Sequence, residues 1–211
     1  MDQVDRMTPL AHHSSPSSLC VCGKINRRIP RGQVIMILGV MSDTHGNTRL
    51  MLRAADQMRN DHDARWLIHL GDNWEDQEWL SMAGYPARGV PGLWCPEYGS
   101  RRVPRRRIDD FSGMQIAYAH TVEDLPAVDP AIELLLAGHT HRACICMREG
   151  IPLLNPGHLK NMRDRGCDAS YGIVAIEADC FHLALYLLNG DCVDEKTFRR
   201  RDVGEDSCSE S

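Results

Sequence analysis

The chain has no apolar run near the roughly 18 residues that a membrane-crossing helix needs, so a membrane-embedded protein is not expected. It also lacks a basic excess. Lys and Arg total 24 against 29 Asp and Glu, a formal charge of -5 with a pI near 6.0. No global bias toward nucleic acid or an anionic membrane follows, and anion binding must be local. A disulfide framework is missing too. The nine cysteines (Cys20, Cys22, Cys95, Cys144, Cys146, Cys167, Cys180, Cys192 and Cys208) are odd in number and irregularly spaced, with no secretory pattern ahead of them. That usage suits free thiols in a reducing cytosol, so a cytoplasmic location is expected. Neither Cys20/Cys22 nor Cys144/Cys146 has a second pair at finger-like spacing. There is no internal repeat, and 211 residues with 43% hydrophobic content suffice for one sizeable core.

Residues 1–33 mix Ser, Pro, His and Arg without sustained periodicity and read as a flexible N-terminal extension. The first dense apolar run, from Val34 to Val40, predicts a buried strand, which makes Met36 a plausible start of translation. Residues 34–201 form the expected domain, and 202–211 are expected to be a disordered acidic tail. Within the domain the apolar rhythm predicts a helix through Leu50–Met58, a strand over Trp66–Leu70 and a short helix over Gln77–Met82. Pro86–Tyr98 is rich in Gly and Pro and holds at best a short strand. Strands follow at Arg106–Phe111, Met114–Ala119 and Leu134–Ala137, with a short helix around Pro130–Glu133. Hairpins pair Ala143–Arg148 with Ile151–Leu154, and Tyr171–Ala178 with Phe181–Leu188. Helical patterns first and hairpins later argue for an α/β sandwich of sheets with helices outside.

Four polar clusters each follow an apolar strand: Asp43-x-His45, Gly71-Asp72, His120 after "MQIAYA", and Gly138-His139-Thr140-His141 after "IELLLA". Carboxylate oxygen together with imidazole nitrogen suits a divalent first-row metal such as Mn, Fe, Zn or Ni. A lone histidine after a strand is usually structural, but six ligand-type residues at strand ends form a set. His69 sits inside its strand and reads as a packed or hydrogen-bonded residue.

In this order the motifs resemble those of the calcineurin-like metallophosphoesterases, in particular their small bacterial and archaeal phosphodiesterase branch. "MSDTHGN", "LIHLGD", "AGHTHRA" and "LLNPGH" carry the resemblance, which covers Met36 to Leu188. It implies a four-layer α/β/β/α sandwich with one or two divalent ions, manganese foremost and Ni, Fe or Zn as alternatives. By position, Asp43, His45, Asp72 and His141 would hold the first ion and Asp72, His120 and His139 the second. The family's Gly-Asn ligand motif is replaced here by Gly92-Leu93. Leucine cannot coordinate, so the second ion is expected to bind more weakly, with Cys95, Glu97 or Asn73 as substitutes. Trp94 stands where relatives keep a leaving-group acid, and His158 is the candidate replacement, its alternative being a solvent-facing loop histidine.

The activity implied is hydrolysis of a phosphodiester or phosphomonoester by in-line attack of a metal-activated hydroxide, with Asp72, His120 and His158 as catalytic candidates. The substrate would be a small phosphate ester. The run Arg101-Arg102-Val103-Pro104-Arg105-Arg106-Arg107 reads first as a charged edge strand, so a nuclease acting on nucleic acid is not favoured. A non-catalytic protein-binding scaffold is the other alternative, because one retromer subunit resembles this fold while using its surface to bind partners.

Overall fold

The computed structural model describes residues 34–201 apart from Val128. The expected extension and tail lie outside the described residues. In chain order the elements are β1 (Met36–Met41), α1 (Thr48–Asn60), β2 (Trp66–His69), α2 (Asp76–Met82), β3 (Ala87–Gly89), β4 (Arg106–Phe111) and β5 (Met114–Ala119). There follow β6 (Ile132–Ala137), β7 (Cys144–Arg148), β8 (Ile151–Asn155), β9 (Arg163–Asp164), β10 (Cys167–Asp168), β11 (Ser170–Ile176), β12 (Cys180–Leu187) and β13 (Cys192–Arg199). Short 3-10 helices occupy Pro96–Gly99 and Val122–Asp124.

Two large mixed sheets result. One has the order β13-β12-β11-β1-β2-β3, the other β4-β5-β6-β8-β7, and β9 with β10 makes a separate two-stranded ribbon. Strand periodicity explains how they stack. Because successive side chains point to opposite faces, Leu38 and Val40 of β1 enter the core between the sheets while Ile37 and Met41 face the helices. β6 divides in the same way: Leu134 and Leu136 meet Leu154, Val174 and Leu183 in the central core, and Leu135 and Ala137 turn to the outer face.

Helix α1 is capped by Asn47, whose side-chain oxygen accepts from the Leu50 amide. It buries Leu50, Met51, Ala54, Ala55 and Met58, a one-sided spacing that lays it across β1 and β11. Its approach is close: a Cβ on Gly39 would stand 2.4 Å from Met58 Sδ.

The fold is the mixed α/β sandwich expected, with one correction to the sequence reading. The helix expected around Pro130–Glu133 is absent. Ile132 and Glu133 open β6, and the Glu133 carboxylate, 4% exposed, is held by Arg200 at 3.2 Å. Among the described residues, both α-helices lie against the first sheet. The outer face of the second is covered by the Val122–Asp124 turn and Leu125. The arginine run meets its structural expectation, since β4 is an edge strand and Arg101, Arg102, Arg105 and Arg106 are exposed.

Candidate metal centre

The site arises from strand direction. β1 and β2 are parallel, as are β5, β6 and β8, so the residues after their C-terminal ends emerge on one side of the sandwich. Asp43 and His45 follow β1, Asp72 follows β2, His120 follows β5, and His139 and His141 follow β6. Both sheets therefore contribute.

Asp43, His45, Asp72 and His141 offer ligand atoms that all lie within 4.8 Å of one another. His45 Nε2 is 2.7 Å from Asp72 Oδ2 and 3.0 Å from His141 Nε2. His141 Nε2 is 3.3 Å from Asp43 Oδ1, and His120 Nε2 is 3.4 Å from Asp72 Oδ1. His139 stands beside this group: its ring centroid is 5.1 Å from that of His120, and its amide donates to Asp43 Oδ2 at 2.8 Å.

Hydrogen bonding assigns the ring faces. His120 Nδ1 is 2.7 Å from the Leu70 carbonyl and must donate to it, so Nε2 turns a lone pair toward Asp72. His141 Nδ1 is 2.6 Å from Asp164 Oδ2 and donates there, leaving its Nε2 as an acceptor toward Asp43 and His45. Acceptors thus face acceptors. Despite the short approaches, Asp43 Oδ1, Asp72 Oδ2 and His120 Nε2 are buried without a hydrogen bond of acceptable geometry. A cation among them resolves this arrangement, and the oxygen-nitrogen donor set is one a divalent transition ion accepts.

The backbone is specialised as well. Asp43, His45, Asp72, His139 and His141, five of the six expected ligands, have left-handed φ between 48° and 85°. Such conformations carry strain in non-glycine residues and cluster at functional sites. Neighbouring glycines permit the crowding. A Cβ on Gly92 would lie 2.3 Å from the Asp72 amide nitrogen, and one on Gly138 2.0 Å from Ser42 Oγ and 2.9 Å from Asp43 Oδ2.

Electrostatics follow from the clustering. Burial works to raise the Asp43 pKa, but contact with His141 and the nearby His120 outweigh it and hold the carboxyl below its ordinary value. The contact with Asp43, joined by the Asp164 bond, raises His141 against the effect of burial. Burial lowers His45, with Asp72 opposing.

Three supporting arrangements escaped the sequence reading. Asp164, in the β9–β10 ribbon, orients His141 as carboxylates commonly orient metal-binding imidazoles. Its motif gave no signal, because a two-residue strand has no apolar periodicity. Asp76 is 1% exposed, accepts from the Thr44 hydroxyl and lies 3.1 Å from His69 Nε2, while His69 Nδ1 accepts from the Gly71 amide. His69 is thus the hydrogen-bonded residue anticipated. Together with Asp76 it links the Asp43–His45 loop to the Gly71–Asp72 turn. Asn155 fixes the third loop, donating to the Gly138 carbonyl and Thr140 Oγ1 and accepting from Gly157.

The proposed substitutes for the missing asparagine are engaged elsewhere or lack a contact to the ligands. Cys95 Sγ donates to the Asp72 carbonyl at 2.8 Å, and burial raises its pKa. With its amide oriented to satisfy both neighbours, Asn73 bonds the Asp72 carbonyl and the Gly46 amide. Glu97 lies on the Pro96–Gly99 turn, and Leu93 is half-buried beside Gly92. His158 is not solvent-facing: it is fully buried, with Nε2 3.1 Å from the Cys167 carbonyl and its ring 5.3 Å from that of His141.

The chain belongs to the calcineurin-like phosphoesterase superfamily, whose domain is matched over residues 36–179. Among solved structures it is similar to Yfce, a phosphoesterase from E. coli, at 23% identity and a TM-score of 0.60, covering 76% of this chain and 98% of that one. Vps29 of Chaetomium thermophilum aligns at 13% identity and 0.59, covering 79% and 100%. A novel archaeal phosphodiesterase aligns at 14% identity and 0.51, covering 78% and 100%. No curated protein sequence matches the chain. At these identities the structural likenesses speak for the fold alone. No helix among the described residues is long and apolar enough to cross a membrane.

Proposed function

We propose that this chain is a metal-dependent phosphoesterase that hydrolyses a small phosphodiester or phosphomonoester. The observation that carries the reading is the inward-facing set of acceptors on Asp43, Asp72, His120 and His141: Asp43 Oδ1, Asp72 Oδ2 and His120 Nε2 are buried and orphaned, and Asp43, Asp72 and His141 sit on left-handed backbone. A divalent ion held there, manganese by preference, would lower the pKa of a bound water toward neutrality and set positive charge against the phosphoryl oxygens.

The residues divide the work. Asp43, His45, Asp72 and His141 bind the first ion, with Asp164 fixing the His141 ring. His120 and His139 join Asp72 at a second, weaker position, because Leu93 offers no donor atom. His158 acts as a positioning residue behind His141 rather than as the leaving-group acid. Burial lowers its pKa, and its Nε2–H is donated to the Cys167 carbonyl, so it is neutral near pH 7. The free thiols among the described residues suit a reducing, cytoplasmic setting.

A non-catalytic scaffold of the same fold is the second reading, favoured by Leu93 where a ligand is expected. Turnover of bis-p-nitrophenyl phosphate after manganese addition separates the two. The expected result is manganese-dependent turnover lost in Asp72→Ala. Metal bound without turnover of any phosphate ester would leave the scaffold standing.

A further inference from the structure

The turn between β11 and β12 gathers three ligand-type side chains that the centre above does not use. β1 and β11 are antiparallel with Met36 opposite Ile176, so Glu177 lies beside the start of β1. Asp43 lies past its other end, roughly 20 Å away at about 3.3 Å per strand residue. Glu177 is buried, and Cys180 and His182 are half-buried.

The three groups converge. Glu177 Oε1 is 3.2 Å from His182 Nε2, Glu177 Oε2 is 3.5 Å from Cys180 Sγ, and Cys180 Sγ is 3.7 Å from His182 Nε2. A tetrahedral zinc ion with bonds of about 2.3 Å to sulfur and about 2.0–2.1 Å to nitrogen and oxygen sets sulfur–nitrogen and sulfur–oxygen edges near ~3.6 Å. The same bond lengths give a nitrogen–oxygen edge near ~3.3 Å. The sulfur–nitrogen edge already has this dimension; the two edges to Glu177 run to different oxygens, and a rotation of the carboxylate presents one oxygen to both partners.

The imidazole is also aimed. His182 Nδ1 is 2.8 Å from Thr197 Oγ1 on β13, so a proton donated there leaves Nε2 with its lone pair toward Glu177 and Cys180. The Glu177 and Asp179 carboxylates beside the Cys180 thiol favour a cation there. The nearby Arg200 guanidinium is committed to Glu133 and reaches Glu177 only at its carbonyl oxygen.

We propose that Glu177, Cys180 and His182 form a separate site for one zinc-like divalent ion, with Asp179 or a water as fourth ligand. Sulfur, nitrogen and oxygen together favour Zn(II) or Co(II) over Mg(II) or Mn(II). Binding releases the Cys180 proton to solvent as the sulfur–metal bond forms. The ion would clasp the β11–β12 turn to β13 through His182 and Thr197, whatever the activity of the first centre.

Co(II) added to the full chain tests this through the near-ultraviolet thiolate-to-cobalt charge-transfer band. The band should persist in Asp72→Asn and Cys95→Ser, vanish in Cys180→Ser and weaken in His182→Ala. No band in the wild-type chain, a band surviving Cys180→Ser, or one lost in Cys95→Ser would each overturn the proposal. A second measurement needs no variant. Zn(II) should slow alkylation of Cys180 by iodoacetamide in the wild-type protein, read by peptide mass mapping, and an unchanged rate would refute the site.

Discussion

Gly92→Ala tests whether Asp72 is held by contact rather than by sequence context alone. The added methyl carbon would stand 2.3 Å from the Asp72 amide nitrogen and 2.4 Å from its Cα. That is roughly 1 Å short of the ~3.5 Å at which such atoms rest, and both obstacles are backbone. The Gly71–Asp72 turn must retreat by about that amount and carry the carboxylate with it. Overpacking of this kind costs about 1–3 kcal/mol, a loss of several degrees in Tm. Disturbing a ligand's support lowers metal affinity about 10- to 100-fold. Calorimetric titration with Mn(II) and thermal unfolding read the two effects, with Gly99→Ala as control. Nothing lies within 4 Å of a Cβ there, and its φ is not left-handed, so changes should stay within about 0.5 kcal/mol. A Gly92→Ala protein with wild-type affinity and Tm would show that the turn yields freely and that the close packing does not position Asp72.

Asp164→Asn should weaken Mn(II) binding about 10- to 100-fold with little change in Tm, because it frees the His141 ring at the edge of the fold; equal affinity by calorimetry would refute the orienting role. Leu93→Asn should tighten the second equivalent of Mn(II) relative to the first, and an unchanged isotherm would remove Leu93 as the cause of a weak second position. Asp109 is paired with Arg88 at 3.0 Å and also bonds Tyr118 and Arg107. Burial would raise its pKa, but these partners hold it below the ordinary 3.8. Its contribution to stability is therefore complete above that value and is lost as pH falls through the depressed one. Chemical unfolding should find Asp109→Asn less stable than wild type at neutral pH, with the gap beginning to narrow below about pH 4; a gap that widened as the pH fell would contradict the assignment.

What could be read from the sequence depended on range. The clusters after β1, β2, β5 and β6 were legible because an apolar run followed by Asp or His is a local pattern, and strand parity then fixes which face each residue takes. β13 passed unnoticed because it is a sheet edge whose exposed positions, Val193, Glu195, Lys196, Thr197 and Arg199, dilute any apolar alternation. Glu133 misled for a related reason. A carboxylate at the start of an apolar segment suggests a helix end until Arg200, 67 positions later, is known to neutralise it. Asp164 is likewise recognisable only by its approach to His141 across 23 positions. His158 looked like an exposed loop residue because nothing in "NPGH" reveals that the β9–β10 ribbon folds over it.

The proposed centre would draw ligands from loops of both sheets, whose facing surfaces meet largely through apolar side chains. A cation bound there is a bolt across the sandwich, and its affinity adds to the resistance of the two halves against parting. At free metal 100 times Kd the linkage is about 2.7 kcal/mol, so chelation should loosen amide protection in the strands leading to the ligands, β1, β2, β5 and β6, before it alters the helices.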